Sequence, residues 1–263
     1  MKLLVINPNI STDVSELIEA ESRRNLHPGT ELTVVTARAG MQYIETRLES
    51  LIAAPAVAQA ISEHRGADAV VVAAFGDPGL PALKELVDVP VVGITEAALA
   101  AASLLGKRFS IIAISGRITA WYRECVDLHG YLPRLASIRS LQDPLEAIGT
   151  VQDDFRTQLV ELANRAVRHD GADVIILAGA PLAGLAREVV DEIPVPVVDG
   201  IAAGVNFAQS LVAMNTGAHR AGSFSAPPAK PRSGLSPELD ELLDERQRLR
   251  SPSADPAVVE EQA

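Results

Sequence analysis

Two loops carry the residue types from which a small-molecule site could be built. Ala73-Ala74-Phe75-Gly76-Asp77-Pro78-Gly79 and Ala178-Gly179-Ala180-Pro181-Leu182-Ala183-Gly184 each follow an apolar run and precede a helical pattern. A loop in that setting presents backbone N–H groups at a helix start, where they suit a carboxylate or a carbonyl oxygen gaining negative charge. Gly76 and Gly179 let a ligand approach the backbone closely, although turn geometry alone also accounts for them. Asn9 and Ser115 close two other matching runs; they are placed either to orient a polar ligand or to cap the helices that follow. Asp77-Pro78 reads as an N-cap followed by a first-turn proline, and Glu96 as a carboxylate favouring a helix start, both structural roles. The five histidines are widely spaced and show no metal-site pattern. The single cysteine, Cys125, rules out an intrachain disulfide and a thiol-based metal site. Trp121, Cys125 and Leu128 share one helical face, which reads as core.

These loops need rigid elements to hold them. Short β-rich runs alternate with helical patterns along the chain, the signature of parallel βαβ construction. Strands are expected at Leu3–Ile6, Leu32–Thr36, Ala69–Ala73, Val89–Gly93, Phe109–Ile114, Ala136–Arg139, Val174–Ala178 and Val195–Val198. Ser11 and Thr12 suit the cap of a first helix, and Gln142–His169 could hold one long helix or two abutting ones. The chain also resembles itself. Gly66-Ala67-Asp68 before one strand recurs as Gly171-Ala172-Asp173 before another, and at the same offset Ala73 matches Ala178, Gly79 matches Gly184 and Leu80 matches Leu185. One inserted residue later, Pro90-Val91-Val92 matches Pro196-Val197-Val198. Duplication therefore predicts an α/β fold of two pseudo-symmetric lobes, each a mainly parallel sheet flanked by helices, with a ligand cleft between them. The expected lobes are residues 1–106 and 107–214, with room for the end of the second to pack back on the first. A Pro-rich tail follows over 215–263, with a short helix near 236–249 capped by Ser236-Pro237 and striped by Leu239, Leu242 and Leu243. Gly217–Gly234 should cross the surface or be mobile, and Ser251–Ala263 reads as disordered.

Composition narrows the ligand. Of 263 residues, 48% are apolar, which suffices for a large core. The formal charge of −11 argues against a nucleic-acid partner and leaves a small molecule as the expectation. No apolar run reaches the length of a membrane span, and Asn7-Pro8-Asn9 ends the first run before a secretory core develops, so the expected location is the cytoplasm.

Ile6-Asn7-Pro8-Asn9, Phe75-Gly76-Asp77-Pro78-Gly79-Leu80, Gly93-Ile94-Thr95-Glu96-Ala97 and Pro196-Val197-Val198-Asp199-Gly200, in that order, resemble the hydantoin racemase branch of the aspartate/glutamate racemase superfamily. The resemblance spans about Lys2–Met214 and implies a cofactor-free, homo-oligomeric enzyme that binds its substrate between two lobes. It also implies two cysteines, one per lobe, that remove and return a proton on opposite faces of a carbon next to a carbonyl. Those cysteine positions fall on Ala74 and Gly179 here, and neither can move a proton. The resemblance further places Tyr43 and Glu45 near the substrate as replacement acid or base; Glu45 with Arg47 as an exposed polar pair, and Tyr43 packed at a lobe edge, are the structural alternatives. With Asn9 and Ser115, the loop residues Ala74, Phe75, Gly76, Gly179 and Ala180 complete the expected substrate-binding set, with no metal. Two functions follow. One is an isomerase, lyase or hydrolase acting without thiols on an activated carbon of a small carboxylate or cyclic ureide. The other is a binding or regulatory protein that keeps the cleft without the chemistry.

Overall fold

The computed structural model describes residues 1–142, 147–217 and 221–248. Its first half runs β1 (Lys2–Asn7), α1 (Thr12–Arg24), β2 (Glu31–Thr36), α2 (Arg47–Glu63), β3 (Ala69–Val72), α3 (Leu80–Leu86), β4 (Val91–Gly93) and α4 (Ile94–Leu105). The second runs β5 (Phe109–Ala113), α5 (Thr119–Leu128), β6 (Leu135–Ser140), α6 (Val151–Arg165), β7 (Val174–Leu177), α7 (Leu185–Glu188), β8 (Val197–Asp199) and α8 (Gly200–Met214), and the tail supplies α9 (Pro237–Arg248). All eight expected strands form, each within a residue or two of the expected ends.

The strands make two four-stranded parallel sheets of the same order, β2-β1-β3-β4 and β6-β5-β7-β8. The inner strands read as unbroken apolar runs because helices cover both faces: Ala69–Val72 and Phe109–Ala113 are buried throughout. The repeated Gly-Ala-Asp motif acts alike in both sheets. Asp68 accepts a hydrogen bond from the Lys2 N–H at 2.6 Å, and Asp173 accepts from those of Lys107 and Arg108 at 3.1 and 2.9 Å, so each carboxylate pins the first strand of its sheet beside the third.

The halves exchange helices. α8 lies against β3 and β4 of the first sheet, and α4 lies against β7 and β8 of the second. The approach is close: a Cβ at Gly204 of α8 would stand 3.2 Å from both Val71 and Ile94. Polar ties add direction. The buried Gln209 amide of α8 accepts from His27 N–H and Thr30 Oγ1 and donates to the Asn25 carbonyl, while Arg187 reaches the buried Glu21 carboxylate of α1 at 2.7 Å.

Three local expectations change. The helix expected over Gln142–His169 starts only at Val151, because Gln142 turns back onto Ser140 and Gly149 packs against Asp13 at the start of α1; residues 143–146 lie outside the described residues. It then runs into a π-helical turn over Ala166–Asp170. Leu128 is 74% exposed, since α5 ends there and nothing described covers its last turn; the buried face is Trp121, Tyr122, Cys125 and Val126. Asp77 does not cap its own helix, as described below. The tail helix forms as expected, with Ser236 Oγ accepting from Leu239 N–H at 3.2 Å and the leucines packed on the cluster beneath α2 and α3. The disorder expected for Ser251–Ala263 falls outside the described residues.

Candidate active site

The carboxyl ends of both sheets face one cavity of about 30 Å³, room for roughly one water molecule. Its walls come from both halves: Asn9, Ala73, Ala74 and Phe75 on one side, Ile114, Ile118, Tyr122 and Gly179–Pro181 on the other. Tyr43 and Ile44, from the loop between β2 and α2, complete its lining. Of the residues expected to bind substrate, Asn9, Ala74, Phe75, Gly179 and Ala180 line this space. Gly76 and Ser115 do not. Gly76 faces Trp121 so closely that a Cβ there would fall within the indole ring, and Ser115 Oγ accepts from Arg117 N–H at 3.1 Å, capping the 3-10 turn Gly116–Ile118.

Residues with unpaired backbone donors line the cavity on both sides. Among the described residues, the backbone N–H groups of Ala74, Phe75, Gly179 and Ala180 have no hydrogen-bond partner, a matched pair from each half. Asn9 is 5% exposed, and its Oδ1 accepts from Ser11 N–H at 2.9 Å and from Asn7 Nδ2 at 3.0 Å. A backbone N–H can only donate, so the amide orientation is fixed and Nδ2 is left as a free donor beside the cavity. Asn9 thus does not cap α1, whose N-cap is Ser11; its oxygen holds the turn that leads into the helix, and its nitrogen has no partner among the described residues.

Carboxylates near the site divide into spent and unspent. Asp77 has φ +47° and turns its side chain across to α4, accepting from Thr95 N–H and Glu96 N–H at 2.9 Å each, with His129 Nε2 at 3.3 Å. Asp199 caps α8, accepting from Ile201 and Ala202 N–H at 2.8 and 3.0 Å, and reaches back to Gly184 N–H at 2.6 Å. Full burial raises the Asp199 carboxyl to about 6, against the opposing pull of those N–H donors. Glu96 is held by Lys84 at 2.7 Å. Glu45 alone is free of such ties: its carboxylate makes no hydrogen bond or ion pair among the described residues, and Arg47 pairs instead with Glu124 of α5. Its charge, followed by burial and Glu49, raises the neighbouring Tyr43 hydroxyl, which therefore stays protonated.

Tyr122 escaped the sequence reading. It lines the cavity at 3% exposure, its ring 4.6 Å from that of Phe75 and 5.6 Å from that of Trp121. The available signal was a tyrosine on a buried helical face, whose hydroxyl needs a polar outlet. Cys125 lies behind it, 3.9 Å from the Gly76 carbonyl oxygen, where burial foremost, then Asp77 and Glu124, push the thiol up to about 12. Such a thiol is neither a base nor a nucleophile near neutrality. Among the described residues, no three His, Cys, Asp or Glu side chains stand together to hold a metal ion.

The model of the Asp/Glu/hydantoin racemase family matches residues 3–208. The chain belongs to this family. Relatives include the hydantoin racemase of Paenarthrobacter aurescens, 35% identical over 88% of this chain and 99% of that protein, and that of Pseudomonas sp. (strain NS671), 33% identical over 88% and 93%. Among solved structures, the allantoin racemase from Klebsiella pneumoniae is similar at a TM-score of 0.86 and 35% identity, covering 91% of this chain and 98% of that one. The two parallel sheets are thus the racemase fold, and the cavity lies between the racemase halves. Cys125 is the one cysteine of the sequence.

Proposed function

We infer that the protein is a racemase-like enzyme that moves a proton at the activated carbon of a small cyclic ureide of the hydantoin type, without a thiol and without a cofactor. What supports the reading is the cavity with unpaired N–H groups among its lining residues from both halves, no usable thiol, and the unpaired carboxylate of Glu45, which does not line the cavity but follows Tyr43 and Ile44, which do. A ring carbon between an amide nitrogen and a carbonyl releases its proton when the carbonyl oxygen is stabilised as it gains charge, the role this reading gives to the loop N–H groups and Asn9 Nδ2. Glu45 is the base in this reading, and protonated Tyr43 a hydrogen-bond donor beside it.

The cavity as it stands has room for about one water molecule, so in this reading Tyr43 and Ile44 shift aside when a ureide ring enters. The test is to incubate single enantiomers of 5-substituted hydantoins and of allantoin with the protein in deuterated buffer, following proton NMR and optical rotation. Deuterium should replace the ring proton as rotation decays, and Glu45→Gln should slow exchange by about 100-fold or more. Thermal stabilisation by these compounds with no exchange would make the protein a binder.

The reading extends to self-association. The helix α2 is apolar on its outward side as well, where Leu48, Leu51 and Ile52 lie exposed, a surface suited to a second copy. Leu48→Glu/Leu51→Glu should dissociate the assembly in sedimentation runs; a monomeric wild type would rule this out.

A further inference from the structure

We propose that the Tyr122 hydroxyl is a catalytic residue, the group that gives and takes the proton on the Gly179 side of the substrate carbon; this rests on the isomerase reading above. Gly179 has φ +109°, a conformation that side chains rarely adopt, and the loop residues beside it on the cavity wall, Ala180 and Pro181, carry no side chain able to move a proton. The hydroxyl that faces this bare stretch belongs to Tyr122: its oxygen lies 3.9 Å from the point where a Gly179 side chain would begin. It has no hydrogen-bond partner among the described residues, so the group is not committed to the fold. Its ring is wedged between Phe75 and Trp121, which fixes where the oxygen points.

The surroundings suit proton return to carbon. Burial foremost, then the neighbouring Cys125, Glu45 and Asp77, push the phenol well above its ordinary range. It is therefore fully protonated at neutral pH, and its conjugate base would be strong enough to reclaim a carbon-bound proton in the reverse direction. In one direction, Glu45 takes the ring proton and the C–H electron pair moves into the enolate, whose oxygen the loop N–H groups hold. The Tyr122 O–H bond then breaks, a new C–H bond forms on the opposite face, and tyrosinate remains. The proton on Glu45 returns through solvent to the tyrosinate, so nothing is gained or lost.

The test uses Tyr122→Phe, which keeps the ring between its neighbours. Each enantiomer of a 5-substituted hydantoin is followed separately in deuterated buffer, with the melting temperature as a check on folding. The expected result is a loss of racemisation by about 100-fold or more, while one enantiomer still exchanges its proton with retained configuration at Glu45. Racemisation at the wild-type rate overturns the proposal. So does an equal loss of exchange for both enantiomers, with or without a lowered melting temperature. If the wild type itself exchanges neither enantiomer, it is the isomerase reading that fails, and this proposal with it.

Discussion

The two halves solve one electrostatic problem from opposite ends of the chain. In each, the helix after the fourth strand begins beside the site loop and leaves N–H groups to be satisfied. In the second half the residue at the helix N-cap does this: Asp199 accepts from the N–H groups of Ile201 and Ala202 and ties back to Gly184. In the first half the N-cap is Gly93, and the carboxylate comes from the loop, with Asp77 accepting from Thr95 and Glu96. The substitution is spatial, because a Cβ on Gly93 would overlap the Asp77 carboxylate. A duplicated unit therefore keeps a charge in a place rather than a residue in a register.

Exchanging the two arrangements is the strongest way to break this comparison. Asp77→Gly should cost about 2–4 kcal/mol by urea denaturation, through loss of a charged cap and N–H groups left unsatisfied. Gly93→Asp alone should also destabilise, because two carboxylates would compete for one space. Together they should recover most of the loss, since Gly93 (φ −85°, ψ 146°) already has nearly the backbone of Asp199 (φ −96°, ψ 127°). A double variant no more stable than the worse single one would show that the two carboxylates are not equivalent.

A pH series sharpens it next. With its carboxyl raised to about 6, folded Asp199 keeps a proton that the unfolded chain has already released near pH 4. Its stabilising contribution is full below the unfolded value and is lost as pH rises through about 6, up to roughly 3 kcal/mol for a shift of this size. The advantage of the wild type over Asp199→Ser should accordingly shrink between about pH 4 and pH 6. An advantage that grows over that interval would mean the three N–H donors outweigh burial.

Two smaller asymmetries belong to α5, which has no aromatic or thiol counterpart in α1. Cys125→Ala should cost about 1 kcal/mol of stability and leave ureide exchange within about twofold of wild type. Loss of exchange would return the chemistry to a thiol. Arg47 and Glu124, 57% and 61% exposed and 2.5 Å apart, join the start of α2 to α5. Arg47→Ala should raise KM by about threefold at most, a rise that high salt, by screening the pair, should reproduce in the wild type.

Much of this was legible in the residues. Unbroken apolar runs such as Ala69–Val72 announce buried parallel strands, and Gly-Ala-Asp at both Gly66 and Gly171 announces the repeat, because each depends on local pattern. The matched loops followed from that repeat, and with them Ala74 and Gly179 on the cavity wall. Asp77 was misjudged because Asp-Pro before a helix is what a local cap looks like, whereas its partners lie on α4 and only the left-handed turn at Asp77 aims it there. Tyr122 was passed over because its neighbours in sequence are core residues.

By itself, then, the sequence determined the sheets, the repeat, the site loops and the lack of a cysteine pair, all of which follow from periodicity, turn chemistry and composition. Only the tertiary structure decided which donors and acids remain free. That depends on which polar groups meet across the halves, and hydrogen bonds between distant segments leave no periodic trace in the chain.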